Sequence, residues 1–367
     1  MRIVLFVLFL LLIACQQQKK DNNSTPTKGI WLTNVVSDAM FSRKNIEEAV
    51  SLCSQYGFNT IYVVVWNRGY TLYPSALMEQ QFGIPIDPKH QGRDPLQETI
   101  EAARRHDMKV MAWFEFGFSS SYQEEDGGHI LRKYPHWAAR DSLNQIVSKN
   151  GFQWMNAFDP EVQDFLLSLL KEVVETYDLD GIQGDDRLPA LPSSAGYDSL
   201  TISSYQSEHQ VNLPPKNIFD PNWVNWRANQ LNQFMKKMYH ELKAINPNLI
   251  ISSAPSIYPW SKEQYLQDWP SWINNGWVDE VCPQIYRRDF QKYQLELEKI
   301  LTEQVDSIHH SKIFPGILLR VGDYYASDTL LNKKIMENRK KGLLGEVFFY
   351  YEGLKKHPSF FEQLYDD

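Results

Sequence analysis

What the chain has little of narrows it first. It has three cysteines in 367 residues, Cys15, Cys53 and Cys282. Cys53 falls in a helical pattern and Cys282 in a strand pattern, so both read as buried apolar side chains rather than a disulfide or a metal pair. There is no basic surplus. The formal net charge is −8, and a nucleic-acid partner needs a basic face. Histidines in metal-ligand spacing are missing too: His129, His136 and His209 fall in loops, and His309-His310 at a helix end. No Gly-x-Ser-x-Gly elbow or Walker loop is present, and Leu32-Thr33-Asn34-Val35 replaces the Gly-rich turn of a dinucleotide site. The expected cofactor is none.

The start of the chain carries an export signal. A short basic start, Met1-Arg2, precedes the apolar stretch Ile3 to Ala14, and Cys15 directly follows Leu12-Ile13-Ala14. That stretch is short of the ~20 residues a membrane span needs. The pattern is that of a secretory signal peptide, and a cysteine at the cleavage point resembles a bacterial lipobox. Residues 1–15 are therefore expected to be a lipoprotein signal with Cys15 as the lipidated residue. Residues 16–28, polar and without apolar periodicity, read as a flexible tether. The expected location is the cell envelope, with contact to the membrane through that lipid alone.

The remainder, 29–367, is globular in composition, with 43% hydrophobic and 22% charged residues. It alternates strand and helix patterns eight times. Strands are expected over Gly29 to Thr33, Thr60 to Trp66, Lys109 to Phe116, Asp180 to Asp186, Leu249 to Pro255, Glu280 to Tyr286, Ile313 to Leu319 and Gly345 to Tyr351. The run Ile61-Tyr62-Val63-Val64-Val65 is apolar throughout, as in strands buried on both faces. Helices follow caps at Ser42, Asp94-Pro95, Asp159-Pro160 and Asp220-Pro221. Shorter helical stretches cover Lys262 to Asn274, Phe290 to Ser307 and Ser327 to Lys341. Eight such pairs predict a single (β/α)8 TIM barrel of the α/β class. The loops after strands 2, 3 and 4 are long while the helix-to-strand links are short, so one mouth is elaborated. Such barrels act at that mouth.

Acidic residues lie at four strand ends: Glu115, Asp185-Asp186, Asp323 and Glu352. Glycoside hydrolysis needs two carboxyl groups flanking the bond. Strand alternation puts Gln183 and Asp185 on one face and Asp186 on the other. If Gln183 points inward, Asp185 is the reactive carboxylate, and Asp186 is a holding group that pairs with Arg187 or Arg227. The partner of Asp185 is Glu115 or Glu352. Trp66, Asn67 and Tyr70, Trp113, Tyr258 and Trp260, Gln284 and Tyr286, Gln183, Asp186 and Arg320 complete the expected sugar-binding rim. Aromatic faces and amides clustered at one mouth suit a carbohydrate cleft.

The series Arg93-Asp94-Pro95-Leu96, Ala112-Trp113-Phe114-Glu115, Tyr134-Pro135-His136-Trp137, Asp180-Gly181-Ile182 with Asp185-Asp186, Asn225-Trp226-Arg227 and Pro283-Gln284-Ile285-Tyr286 resembles the glycosyl hydrolase-like 10 family. The likeness runs in order from Gly29 to Glu352. It implies a TIM-barrel enzyme acting on glycans, often exported, with cell-wall glycan such as peptidoglycan as a candidate substrate. Many members carry Asn where this chain has Glu115, which turns the implied second carboxylate toward Glu352. A glycan-binding barrel without a working carboxylate pair is the alternative.

Overall fold

The computed structural model describes residues 26–210 and 213–365. Cys15, the expected export signal and residues 16–25 of the expected tether lie outside them. Eight strands alternate with helices: β1 (Lys28–Leu32), β2 (Thr60–Asn67), β3 (Lys109–Phe114), β4 (Gly181–Gly184), β5 (Ile250–Ser253), β6 (Glu280–Val281), β7 (Gly316–Leu318) and β8 (Glu346–Phe349). Neighbours pair in the order β6-β5-β4-β3-β2-β1-β8-β7, all parallel. Parallel bridges from Val281 to Ile313 and from Gln284 to Gly316 join β6 to β7 and complete the ring. The fold is the expected α/β barrel.

The local chemistry explains the helix starts. Helices α1 (Arg43–Gln55), α2 (Pro95–Arg104), α3 (Pro160–Thr176) and α4 (Pro221–Ile245) begin behind Ser42, Asp94, Asp159 and Asp220. Each of these side chains accepts a first-turn N–H, and each such cap stabilises its helix by about 1 kcal/mol. The same logic explains where expected elements fall short. Pro283 has no N–H to give, and β6 stops at Val281. The expected helix Lys262 to Asn274 divides into Trp260–Tyr265 and Trp269–Asn274, because Leu266 sits at φ 57° between them. The expected helix Phe290 to Ser307 ends its α geometry at Lys299 and passes into a π turn.

Inside the barrel the side chains interlock. The Trp31 indole N–H donates to Gln183 Oε1 at 2.7 Å, and Gln183 Nε2 donates to Ser252 Oγ at 2.8 Å. One glutamine thus ties β1, β4 and β5, and β4's inward row is fixed as Gly181, Gln183 and Asp185. The segment after β3, read from sequence as a loop, carries its own antiparallel sheet of Ser119–Tyr122, Ser148–Lys149 and Phe152–Trp154. Its tight turn is Asn150-Gly151, both at positive φ, the pair that two-residue hairpin turns favour.

Candidate active site

The site is built where β3 and β4 end. β4 stops at Gly184, and the chain turns at once through Asp185, Asp186 and Arg187. Gly117, just past β3, lies against this turn. A Cβ there would meet the Arg187 carbonyl oxygen at 2.0 Å, and its φ is +39°, so only glycine allows the approach. The Arg187 guanidinium rests over the rings of Phe116 at 4.7 Å and Phe152 at 4.9 Å. Phe152 comes from the small sheet, so the β3 insertion helps hold the arginine.

Held there, Arg187 bridges two carboxylates. Its Nη1 lies 3.1 Å from Asp185 Oδ2 and 2.7 Å from Asp186 Oδ1, and its own N–H donates to Asp185 Oδ1 at 2.8 Å. Asp186 Oδ2 accepts from Ser256 Oγ at 3.1 Å, in the segment after β5. The side chain of Asp185 is 2% exposed and that of Asp186 18%. Burial, with Asp186 alongside, pushes the Asp185 carboxyl well above the usual range, against the pull of Arg187.

A third carboxyl sits beside them. Glu115 continues the inward row of β3 and is buried. Its Oε2 accepts from Asn67 Nδ2 at 2.7 Å and from Thr33 Oγ1 at 3.2 Å. Burial raises it to about 7, although Arg187 and Thr33 pull it down. Glu115 is therefore tied to the β1 and β2 ends and Asp186 to the β5 end, with Asp185 and Arg187 between. A cleft of about 360 Å³ opens beside Asn67, lined by Asn34, Arg68, Tyr70, His90 and Tyr122 among others; Glu115, Asp185, Asp186 and Arg187 do not line it, and Asn67 is its link to Glu115.

The profile of glycosyl hydrolase-like 10 matches residues 26–320, which takes in this whole carboxylate group. The chain belongs to the glycosyl hydrolase-like 10 family. Among relatives, it is 25% identical over 317 residues to glycosyl hydrolase DigH of Escherichia coli K12, covering 72% of this chain and 66% of DigH. It is 24% identical over 292 residues to glycosyl hydrolase YngK of Bacillus subtilis, covering 71% of this chain and 54% of YngK. The chain thus spans just under two thirds of DigH and about half of YngK. Two solved glycosidase structures share the fold. The glycoside hydrolase domain of PgaB (BpsB) from Bordetella bronchiseptica aligns with TM-score 0.70 at 13% identity, covering 93% of this chain and 98% of that domain. Alpha-L-fucosidase isoenzyme 2 from Paenibacillus thiaminolyticus aligns with TM-score 0.65 at 17% identity, covering 93% and 48%.

The other expected site residues of this glycosyl hydrolase-like 10 chain distribute unevenly. Asn67 and Tyr70 line the cleft, and Glu115 lies behind Asn67, which donates to it. Trp66 is a correction. A bulge between Val64 and Trp66 shifts the register, so Trp66 faces outward, fully buried, with its ring 6.2 Å from Phe165 of α3. Asn67 takes the inward place instead. Gln183 is a second correction, because it is fully buried with its amide used on Trp31 and Ser252. Trp113 is buried in the barrel, 6.3 Å from Trp31. Gln284 donates to the Ala254 carbonyl, and Tyr286 stacks on Phe349.

Tyr258 lies in a separate groove with Phe219 and Val224, and Trp260, half-exposed, leans on Tyr265. Arg320 lies over Tyr325 in a small hairpin after β7. Glu352 is not drawn into the acid group. Its carboxylate takes Ser37 Oγ and Lys355 Nζ, each at 2.9 Å. Arg227 does not reach Asp186 either; it donates to the carbonyls of Trp223, Ser193, Ala195 and Ile218. Thr33, Asn34 and Ser256 were missed from sequence. Each lies at or just past a strand end, which is the one signal that marks them.

Proposed function

We propose that the chain is a glycoside hydrolase that cleaves a cell-envelope polysaccharide such as peptidoglycan, and that Glu115 and Asp186 are its working carboxyl pair. The observation that carries this is one guanidinium, Arg187, bridging Asp185 and Asp186, with the buried Glu115 carboxyl held by Asn67 and Thr33 nearby. Asp186 is the open member of the bridged pair. Asp185, sealed beneath it, keeps Arg187 and Asp186 in position. This moves the chemical role from Asp185, favoured by strand alternation alone, to its neighbour. Alternation ends with the strand at Gly184, so it does not govern Asp186.

The family and the two glycosidase folds support hydrolysis of a sugar bond. The chemistry asks one group to protonate the leaving oxygen and another to act on the opposite side of the ring. Glu115 near 7 suits the first role at neutral pH, because a catalytic acid works best with its pKa near the working pH. Asp186 takes the second. Attachment to the envelope through lipidated Cys15 is part of the same proposal.

The test compares wild type with Asp186→Asn and Asp185→Asn on peptidoglycan and a panel of neutral and acidic polysaccharides, reading released reducing ends. Asp186→Asn is expected to lose at least about a hundredfold in rate. Equal release by wild type and both variants would overturn the assignment.

A further inference from the structure

The cleft beside Asn67 is lined by two cations that no carboxylate pairs with among the described residues. Four charged side chains line it: Arg68, Lys89, Asp87 and Glu124. The two anions are already engaged. Glu124 Oε2 lies 3.3 Å from Arg132 Nη1, and Asp87 Oδ1 accepts the Lys89 backbone N–H at 3.0 Å, capping a short 3-10 turn. Neither cation has a carboxylate partner among the described residues. Arg68 lies over the Tyr122 ring at 4.7 Å, and its buried Nε has no hydrogen-bond partner. It also exerts a small pull on Glu115, whose oxygens are held by Asn67 and Thr33. Next to it, Asn67 is 2% exposed, gives its N–H groups to Asn34 and Glu115, and leaves its Oδ1 unpartnered.

Arg68 sits at φ +53° ahead of Gly69 at φ +82°, the pair of positive φ values that a two-residue turn between the paired Asn67 and Tyr70 requires. Here the two-residue turn between Asn67 and Tyr70 carries Arg68 over Tyr122, where it lines the cleft. Arginine is the side chain suited to hold a carboxylate by two parallel hydrogen bonds.

We propose that this cleft is a subsite for one sugar ring and that Arg68 makes it select a ring bearing a carboxylate. The inference rests on the proposed function for the ligand being a sugar; the acidic substituent is read from Arg68 and Lys89. The Asn67 amide oxygen accepts a hydroxyl or N–H of the same ring, and the Tyr70 and Tyr122 rings supply apolar faces. Because Asn67 also donates to Glu115, one side chain links the bound ring to the proposed acid.

The experiment is an NMR titration of the intact protein with four monosaccharides: N-acetylmuramic acid, glucuronic acid, and the neutral N-acetylglucosamine and glucose. At least one acidic sugar should bind about tenfold more tightly than its neutral counterpart, the gain expected of a charge-assisted hydrogen bond in an open cleft. Comparing the two acids tells whether the carboxylate is read on a lactyl arm or on the ring. Arg68→Gln should reduce that preference to near unity without changing affinity for the neutral sugar. Arg68→Lys, which keeps the charge, should retain part of it.

Equal affinity for acidic and neutral sugars, or a preference that survives in Arg68→Gln, would overturn the proposal. Binding of none of the four would overturn the subsite itself. The titration reads binding without turnover, so a failure of the assigned carboxyl pair leaves its result standing.

Discussion

Both ends of the barrel bury carboxylates, and they treat them differently. At the base, Glu280 opens β6 and accepts from Tyr62 Oη at 2.6 Å. Glu346 opens β8 with no exposed surface, and takes Arg339 through both oxygens at 2.9 Å and Tyr365 Oη at 2.6 Å. Each base acid has its own fixed donors from elements that it joins: β2 to β6 in one case, β8 to two helices in the other. At the mouth, Asp185 and Asp186 share one arginine, and Glu115 is held by a threonine and an amide. A buried acid with dedicated partners holds structure together. Burial raises Glu280 at the base as it raises Asp185 and Glu115 at the mouth, so the difference lies in the mouth acids sharing one arginine at the strand ends. The base is arranged for stability and the mouth for chemistry.

Breaking the base should cost the fold rather than the reaction. Glu346→Gln leaves the Arg339 cation without its anion, and removing one member of a buried pair is expensive. We expect a loss of about 2–3 kcal/mol, seen as a lowered midpoint in urea unfolding, with kcat/KM of the folded protein within about twofold of wild type.

Changing one mouth acid should alter pH dependence. Glu115 is raised from 4.5 to about 7, so the folded protein holds its proton between those values while the unfolded chain releases it. The associated stability is fully present below pH 4.5 and is lost as pH rises through 7, a span of about 3 kcal/mol. Unfolding measured at pH 4.5 and 7.5 should therefore show a steeper fall in wild type than in Glu115→Gln. Activity should decline above pH 7 as the acid ionises, and the variant should lack that limb. A slope shared by both proteins would assign it elsewhere.

The smallest effect is expected at Glu352. It stands at the mouth but is engaged by Ser37 and Lys355, so Glu352→Gln should change kcat by less than about threefold. A loss comparable to that of Asp186→Asn would bring Glu352 into the reacting pair and undo the contrast.

The barrel was legible because its determinants are local. The Asp-Pro helix starts, the Ser42 cap and the apolar run Ile61 to Val65 each announce an element within a few residues. The face of Gln183 was legible too, since β4 is regular up to Gly184. Where regularity ended, so did the reading. The bulge before Trp66 swapped the roles of Trp66 and Asn67, and nothing in Val64-Val65-Trp66 signals a bulge. Asp186 escaped alternation because the strand had already ended. The Asn150-Gly151 turn pair went unread: Phe152-Gln153-Trp154 after it alternates, but Ser148-Lys149 before it is polar and gives no strand pattern. The engagement of Glu352 by Ser37 joins residues 315 positions apart, a contact that only the closed ring brings about.

The contrast between the two ends is tested most directly by one side-by-side assay: reducing-end release from peptidoglycan by wild type, Asp186→Asn and Glu346→Gln, at a temperature where all three are folded by circular dichroism. The account predicts that Asp186→Asn is folded and inactive, and that Glu346→Gln is active while less stable. An active Asp186→Asn, or a Glu346→Gln that is stable but inactive, would contradict it.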